Sequence, residues 1–459
     1  MSNLRKVLLF APLFAGITAD ALAQSVYAGV TNKTLPNGLE VIVLRNPVIP
    51  TVNLQLVLRA GASIQTAPDL QGIPHLLEHM LFRSGDEGSE FESEAARIDA
   101  SSNGATGPES VAYYMSFPSK HLERGLEILS NLVRKPDFSN KGIETEAKVV
   151  QGELERNASE PLRNLRFSSD MLLWAGRGWE RKNAGGNMLA VRAAKSSTLS
   201  AVHKKFYLPN NAALIVAGDV HDTTVFRLAE RIYGGWKRGP DPFADVAPPT
   251  IDSLTKIERR IITREVASAT ILVRWHGPSV GADREGTFAA DVYSSLVNQP
   301  LSGTQRRLVD TGILESVRLR YSTFNHVGPI ELVATASGDR VLEAVRALGE
   351  ELPRLVRPDY YTDDDLRLAR KFEHASDHYL FESSSSAAGL LADFWSSADL
   401  GYFREYGGGL DRQSRPSIDA YVQRYLKGKP MVVAVLVPEH GWAKIAAPLQ
   451  GALGAWRIP

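Results

Sequence analysis

The amino-acid sequence predicts an α+β protein with two tandem homologous domains, each a mostly antiparallel sheet with helices packed on one side. Two repeated patterns support this prediction. Residues 50–61 and 269–277 each alternate apolar and polar side chains and then end in glycine. Residues 207–216 and 425–435 each combine a helix end with a following apolar strand. Both patterns recur after about 217 residues, which favours a duplicated fold. A chance likeness of two α/β segments is the alternative.

Long helices are predicted between the strands. Residues 122–133 and 145–155 carry apolar side chains at helical spacing. A sheet interrupted by such amphipathic helices buries its apolar face beneath them, which is the α+β arrangement.

The start of the chain predicts export. Arg5 and Lys6 precede an apolar run at residues 7–17, and Ala21-Leu22-Ala23 is a small-residue cleavage site. The predicted order is therefore a signal peptide at residues 1–23, an N-terminal domain at 24–237, a linker at 238–253 and a C-terminal repeat domain at 254–459. The expected location is the periplasm.

Composition narrows the possible partners and ligands. The 459 residues include no cysteine, so an exported form must be stable without disulfides, and cysteine-ligated zinc is excluded. The 52 basic and 52 acidic residues balance, which gives no indication of nucleic acid as a partner. No later apolar stretch reaches the about 18 residues of a spanning helix, so no membrane insertion is expected after signal cleavage. An uncleaved anchor is the alternative.

The stretch His75-Leu76-Leu77-Glu78-His79 is the strongest chemical signal in the chain. On a helix, His75, Glu78 and His79 share one face because they are three and four residues apart. Two imidazoles can then bind Zn²⁺ from one side, and the carboxylate between them can reach a metal-bound water. The alternative is a structural cluster of polar side chains in apolar surroundings.

A catalytic zinc site needs a third protein ligand, which should come from a separate helix. Glu146 and Glu153 are seven residues apart and therefore share one face of a predicted helix, two turns from each other. Both are candidates on this spacing, and Glu146 could instead lie on a solvated face.

These motifs together resemble the pitrilysin-type, inverted-zincin peptidases of family M16. The resemblance rests on H-x-x-E-H followed by E-x-x-V-[IV]-x-x-E, and it spans nearly all of the mature chain. Its supporting stretches are residues 35–39, 72–82, 146–153 and 207–220. In size the chain resembles the short, two-domain members, which include mitochondrial processing peptidase subunits and bacterial periplasmic proteins.

The resemblance implies a role for each matching residue. His75, His79 and Glu153 would bind zinc, and Glu78 would be the general base. Glu146 would be a nearby carboxylate that orients a ligand histidine.

The resemblance also implies a strand that pairs with the backbone of a peptide substrate. Asn103-Gly104-Ala105-Thr106 lies where the family has Asn-Ala-x-Thr, so Asn103 and Ala105 are expected to bind substrate. Gly104 departs from the family pattern, because glycine replaces alanine and weakens a strand.

A second departure concerns the C-terminal half. Members of the family usually carry an Arg and a Tyr there that help to bind substrate, whereas Leu308 and Glu315 stand at those positions. Arg306, Arg307 or Tyr321 could replace them only in a shifted register. The expected partner is therefore a related subunit that carries the Arg/Tyr pair, with a homodimer as the alternative.

The repeat also predicts that the second domain holds no metal. A shift of about 217 residues places Val292, Ser295 and Leu296 at the positions of His75, Glu78 and His79.

The predicted function is that of a zinc metalloendopeptidase. It would hydrolyse unfolded peptides by a metal-activated water with a Glu general base, as the zinc-bearing subunit of a heterodimer. The alternative is a non-catalytic structural or peptide-binding subunit that kept the peptidase fold.

Overall fold

A computed structural model describes residues 29–83 and 90–459 of the chain. The predicted signal peptide, residues 1–23, lies outside the described residues. Within the described part of the chain, no helix has both the length and the apolar character needed to cross a lipid bilayer.

The first half of the chain forms a six-stranded sheet with helices around it. Its strands are β1 (Val30–Thr34), β2 (Glu40–Arg45), β3 (Thr51–Leu58), β4 (Ser101–Thr106), β5 (Val111–Pro118) and β6 (Ala212–Gly218). Its helices are α1 (Ile73–Phe82), α2 (Glu90–Ala96), α3 (Leu122–Arg134), α4 (Asn140–Ser159), α5 (Pro161–Leu173), α6 (Arg177–Glu180), α7 (Met188–Arg192), α8 (Ser196–Phe206) and α9 (Asp222–Tyr233).

The second half forms a five-stranded sheet with its own set of helices. Its strands are β7 (Glu258–Arg264), β8 (Ser268–His276), β9 (Ser316–Tyr321), β10 (Pro329–Ser337) and β11 (Val432–Pro438). Its helices are α10 (Arg284–Asn298), α11 (Val341–Leu355), α12 (Asp363–Glu382), α13 (Ser384–Ser397), α14 (Leu400–Asp411), α15 (Arg415–Tyr425) and α16 (Trp442–Ala455).

Apart from the additional edge strand β1, the two sheets have the same strand order, which confirms the predicted duplication. The strand order is β1-β2-β6-β3-β5-β4 in the first sheet and β7-β11-β8-β10-β9 in the second. In each sheet the last strand in sequence is parallel to one neighbour, and the remaining pairs are antiparallel. The expectation of two mostly antiparallel α+β domains is therefore correct. The predicted linker, residues 238–253, lies between α9 and β7.

Side chains of the central strands alternate between two cores. In the first sheet, Leu54 and Leu56 face the core that contains α1 and α3, whereas Val57 faces a core shared with the second half. Both faces of these strands are therefore buried, which explains why β6 and β11 consist almost entirely of apolar residues.

Each half contributes one helix to the sheet of the other half. Helix α5 packs on β11, β7 and β8, where its buried Leu165 contacts Leu272 and Leu436. Helix α13 packs on β3 and β6 in the reciprocal position, and its Trp395 donates a 2.8 Å hydrogen bond to Glu40. The exchange buries the second face of both sheets, so the core is continuous between the halves.

A buried lysine joins the two halves beside the turn between β4 and β5. Lys182 donates to the carbonyl oxygens of His326 and Val327 at 2.8 and 3.1 Å, and its ammonium lies 3.8 Å from Glu109. Glu109 in turn accepts hydrogen bonds from the backbone amides of Asn325 and His326. The connection between β9 and β10 is thereby held against the turn between β4 and β5.

Replacing Lys182 by methionine should lower the free energy of unfolding by about 2–4 kcal/mol, because Glu109 and two carbonyls then lose a buried donor. Burial lowers the pKa of Lys182 to about 8. In the unfolded chain the same lysine keeps its proton until about pH 10.4. Between about pH 8 and 10.4 the unfolded chain therefore binds more protons than the folded chain, so the stability of the wild type should rise with pH over this range.

The difference in stability between wild type and Lys182→Met should therefore grow between pH 8 and 10, as measured by urea unfolding. The exposed Lys444 provides the control, and Lys444→Met should leave stability nearly unchanged. Equal pH slopes for wild type and Lys182→Met would contradict the account.

Candidate metal centre

Helix α1 presents two histidines and one glutamate to a cavity. It begins after Gly72, whose φ of +86° suits glycine, and Pro74 lies in its first turn. Leu76 and Leu77 are buried on the core side of α1. His75 and His79 lie on the opposite side and line a cavity of about 810 Å³.

The start of α1 is fixed by a buried glutamine. The side-chain oxygen of Gln65 accepts a 2.5 Å hydrogen bond from the amide of Gly72. Its amide nitrogen donates to the carbonyl oxygens of Glu180 and Asn183. Gln65 therefore joins the first turn of α1 to the loop that also carries Lys182.

Helix α4 brings both predicted carboxylates to the same cavity. Ser139 caps its N-terminus, with the side chain accepting from the amide of Gly142. Glu146 and Glu153 lie on the face of α4 that packs against α1. The spacing of seven residues thus places both carboxylates beside the histidines.

The three predicted ligands converge. The Oε2 atom of Glu153 lies 3.7 Å from Nε2 of His75 and 3.4 Å from Nε2 of His79. One ligand atom from each residue lies within 4.8 Å of the others. Zinc bound at about 2.0–2.2 Å in a tetrahedral site separates its ligand atoms by about 3.4 Å. The donor types and their spacing therefore fit a zinc ion.

Glu146 contacts the other ring nitrogen of His79 and is not part of the three-residue cluster. Its Oε2 atom lies 3.4 Å from Nδ1 of His79, and its Oε1 atom accepts a 2.8 Å hydrogen bond from Arg83. A carboxylate at Nδ1 leaves Nε2 of the imidazole directed at the metal position. The side chain of Glu146 is only 12% exposed, which argues against the alternative of a solvated helix face.

Glu78 is buried beside the cluster and is held by strand β4. Its Oε2 atom accepts a 2.6 Å hydrogen bond from Thr106 Oγ1. Gly104 lies so close that a Cβ atom there would stand 2.6 Å from Glu78 Oε1 and 2.7 Å from Phe82 Cε2. The glycine that departs from the family pattern thus makes room for this carboxylate.

The protonation states follow from burial and from the neighbouring charges. Burial, and then the proximity of His79, lowers the pKa of His75 to about 4, so this imidazole is neutral at neutral pH. Burial disfavours the charged form of His79, but the contact with Glu146 and the other carboxylates raises its pKa overall. Burial raises the pKa of Glu78 against the opposing hydrogen bond from Thr106.

Strand β4 borders the cavity and has a free edge. It pairs with β5, and no strand in the described part of the chain pairs with its other side. The amide of Gly104 donates to the neighbouring Asn103 side chain at 2.9 Å. Asn103 and Ala105 both line the cavity, as does Thr106.

The equivalent edge of the second sheet is occupied by side chains. Asn298 donates to the carbonyl of Leu319 at 2.7 Å and accepts from its amide at 2.8 Å. Gln305 donates to the carbonyl of Val317 at 2.9 Å. These contacts satisfy backbone groups of β9 that an added strand would need.

No residue of the second half is among the described residues that line the cavity. Arg307 makes a bidentate ion pair with the buried Glu351, and Leu308 is buried in the core. The hydroxyl of Tyr321 donates to the carbonyl of Pro278 at 3.1 Å, and Glu315 accepts from Ser268.

The positions that match the metal motif in the second half are apolar or small. Val292 and Leu296 are buried in the core, and Ser295 donates to Glu373. The cluster of potential metal ligands found among the described residues is that of His75, His79 and Glu153.

Three supporting residues were not singled out by the sequence. Thr106 is part of the strand motif, but its bond to Glu78 depends on the distance between β4 and α1. Arg83 follows His79 by one helical turn, so its contact with Glu146 could have been sought from spacing. Nothing in the sequence around Gln65 indicates its role, since its partners are distant backbone groups.

A duplicated α+β fold with a histidine–carboxylate cluster beside a free strand edge defines a peptidase-like protein. Sequence comparison gives the same class. The family described as "Insulinase (Peptidase family M16)" matches residues 40–173, and "Peptidase M16 inactive domain" matches residues 196–372. The chain belongs to the M16 peptidase family.

Similar proteins include the zinc protease PqqE of Helicobacter pylori, with 25% identity over 415 residues, 86% of this chain and 89% of that protein. The uncharacterised zinc protease YmxG of Bacillus subtilis is 22% identical over 77% of this chain and 85% of its own length. The mitochondrial-processing peptidase subunit beta of Lentinula edodes is 24% identical over 70% of this chain and 68% of its own length.

Solved structures show the same fold. A protease from Helicobacter pylori has a TM-score of 0.74 at 20% identity and covers 89% of this chain and 99% of its own. An M16-like peptidase from Alicyclobacillus acidocaldarius has a TM-score of 0.76 at 20% identity, with 89% and 98% coverage. The periplasmic protease PqqL from Escherichia coli has a TM-score of 0.75 at 17% identity, and 93% of this chain matches 50% of that chain.

Replacing Gly104 by alanine should lower the free energy of unfolding by about 1–3 kcal/mol, because the added methyl group displaces the Glu78 carboxylate or Phe82. Gly451 in α16 provides the control, since a Cβ atom there meets nothing within 4 Å. Gly451→Ala should raise stability by about 0.5–1 kcal/mol. Denaturant unfolding of both variants measures this, and a Gly104→Ala variant as stable as wild type would contradict the packing described.

Proposed function

We propose that this protein is a zinc metalloendopeptidase that hydrolyses unfolded peptides. The observation that supports this most directly is the convergence of His75, His79 and Glu153, with Glu78 beside them and a free strand edge at the same cavity. A structural cluster would not require a cavity that opens on the histidines and on Glu78.

The metal would be held by His75, His79 and Glu153, and oriented through the contact between Glu146 and His79. Zinc bound there would supply Lewis-acid chemistry, which lowers the pKa of water towards about 7 and polarises a carbonyl group.

Glu78 would act as the general base. Its carboxylate faces the cavity and is held by Thr106, so it can accept a proton from the attacking water and deliver it to the leaving amine.

The peptide would bind as an additional strand on β4. Backbone hydrogen bonds to the edge around Asn103 and Ala105 give affinity for an extended chain without strong selectivity for its sequence. The amide of Gly104 would exchange its contact with the Asn103 side chain for a substrate carbonyl. A folded protein cannot offer such a strand, so the proposed substrates are unfolded.

A related subunit would complete the site. The described cavity is lined by the first half alone, and Arg307 and Tyr321 make internal contacts instead. We therefore propose a heterodimer with an M16-like subunit that carries the Arg/Tyr pair, and a homodimer is the alternative. The likeness to a subunit named mitochondrial-processing peptidase beta supports a multisubunit arrangement.

The second candidate function is a non-catalytic structural or peptide-binding subunit. Two observations favour it, namely the missing Arg/Tyr pair and the match of residues 196–372 to a family described as an inactive domain. Activity measurements with and without a related subunit distinguish the two functions.

We also propose that the protein works in the periplasm. The predicted signal peptide at residues 1–23 and the likeness to a periplasmic protease of Escherichia coli support this location. The proposed mature chain then consists of a zinc-binding domain at 24–237, a linker at 238–253 and a metal-free repeat at 254–459.

Replacing Glu78 by glutamine should abolish turnover and leave about one zinc ion per chain, because the amide cannot accept a proton but keeps the size of the side chain. Metal analysis and cleavage of a quenched, unstructured peptide, each with and without a co-purified related subunit, measure the two properties. Cleavage by Glu78→Gln near the wild-type rate would exclude it as the base. A wild-type protein that binds no zinc and cleaves no peptide, alone or with the related subunit, would favour the function of a structural subunit.

Replacing Glu146 by glutamine should weaken zinc binding by about 10- to 100-fold. The neutral amide attracts the Nδ1–H group of His79 less strongly than the carboxylate does, so the imidazole is oriented less firmly. Glu144→Gln is the matched control, since Glu144 lies on the same helix but pairs with Lys148 outside the cavity. Competition with a fluorescent zinc chelator measures both affinities. Equal affinities for the two variants would remove Glu146 from the metal centre.

A further inference from the structure

A second cavity, of about 730 Å³, lies beside the metal centre. It is bounded by α4, α5 and the loop that leads to α7. Four of its lining side chains are large and apolar, namely Leu154, Phe167, Trp179 and Met188. Phe167 is 48% exposed, whereas phenylalanine side chains are usually buried. Its ring lies 5.1 Å from the ring of Trp179.

The two cavities share a wall. Arg163, at the start of α5, lines both of them. Leu154 directly follows the proposed ligand Glu153 along α4, and Ala158 lies one turn further. The wall that α4 gives to the second cavity ends at Ala158, about 7.5 Å along the helix axis from Glu153, a length spanned by about two residues of an extended peptide.

The charged groups around this cavity are already paired within the protein. Arg166 forms hydrogen bonds with both carboxylate oxygens of Glu331, and Asp170 accepts from Arg274 at 2.6 Å. Arg163 takes no part in these two ion pairs and donates a 2.9 Å hydrogen bond to the side chain of Asn157. Likewise Arg192 donates to Gln151, and Lys182 donates to two carbonyls. The surface left for a ligand is therefore mainly apolar.

The walls of the cavity are held by contacts within the protein. The aromatic rings of Phe167 and Trp179 meet edge to face at 83°. The adjacent loop is fixed where Gly186 approaches Gly72 so closely that a Cβ atom would stand 2.0 Å from its amide nitrogen. A largely apolar cavity of this size is typical of a binding site.

We propose that this cavity is a subsite for a bulky apolar side chain of the peptide, about two residues from the bond that is cleaved. The proposal rests on the proposed peptidase function, because that function supplies the peptide and its direction along β4. An apolar side chain in this cavity covers Phe167 and leaves every ion pair around it intact. The subsite would thus add sequence preference to a strand edge that binds backbone alone.

The test uses two alanine-rich peptides that differ at one position, which is phenylalanine in one and serine in the other. Wild type, assayed together with the related subunit, should cleave the phenylalanine peptide with a kcat/KM at least about 10-fold higher, since burial of that side chain contributes at least about 1.5 kcal/mol. Mass spectrometry of the products should place the phenylalanine about two residues from the cleaved bond.

Ala158→Trp should remove this preference, because the indole fills the cavity from an exposed position of α4. The readout is the ratio of the kcat/KM values for the two peptides. Ala201→Trp, at an exposed position of α8 away from both cavities, is the matched control and should keep the preference. An unchanged preference in Ala158→Trp, or equal cleavage of both peptides by wild type, would overturn the subsite.

Binding to the Glu78→Gln variant separates this proposal from the peptidase function. Anisotropy of the fluorescein-labelled peptides should show tighter binding of the phenylalanine peptide, and Ala158→Trp in the same background should abolish the difference. If wild type cleaves neither peptide, with or without the related subunit, but this binding difference remains, the peptidase function fails and the apolar subsite stands. If the two peptides bind alike, the subsite fails whatever the activity.

Discussion

The approach of α4 to α1 is the contact on which the candidate site depends. Two histidines from one helix cannot complete a zinc site, so the geometry is set by how a second helix presents its carboxylate. The position of α1 is fixed at its first turn by Gln65. Helix α4 is fixed at its end, because Glu160 ends it and also caps α5, which packs on the second sheet. The second half therefore helps to position the end of α4, although it contributes no residue to the described cavity.

Burial gives the cluster its chemical character. The histidines and Glu78 are largely removed from water, and two carboxylates of the site have a defined donor, with Thr106 for Glu78 and Arg83 for Glu146. Fixed donors of this kind reduce the cost of placing several negative groups together. They also separate the roles of the carboxylates, because a group held at one oxygen by a neighbouring side chain presents the other oxygen in a fixed direction.

Much of the fold was predictable because it repeats. The alternation in residues 50–61 and 269–277 corresponds to β3 and β8, the equivalent central strands of the two sheets. The proximity of the predicted metal-site residues was predictable in outline, since residues four or seven positions apart lie on the same face of a helix. Their roles remain a proposal.

Long-range features were not predictable. Helical periodicity shows that α5 has an apolar face, but it cannot show that this face covers the sheet of the other half. The contacts of Gln65 and Thr106 depend on distances between segments far apart in sequence. The difference between the two sheet edges, one free at β4 and one occupied by Asn298 and Gln305, has the same origin, because polar side chains do not indicate which backbone groups they will meet.

The reciprocal placement of α5 and α13 has a consequence for how the molecule is made. The second face of the first sheet stays uncovered until residues 384–397 have been synthesised. Helix α5 cannot pack on β11 until that strand, which lies near the end of the chain, has been synthesised. Neither half can cover both faces of its sheet early, so the last packing step of folding needs nearly the whole polypeptide.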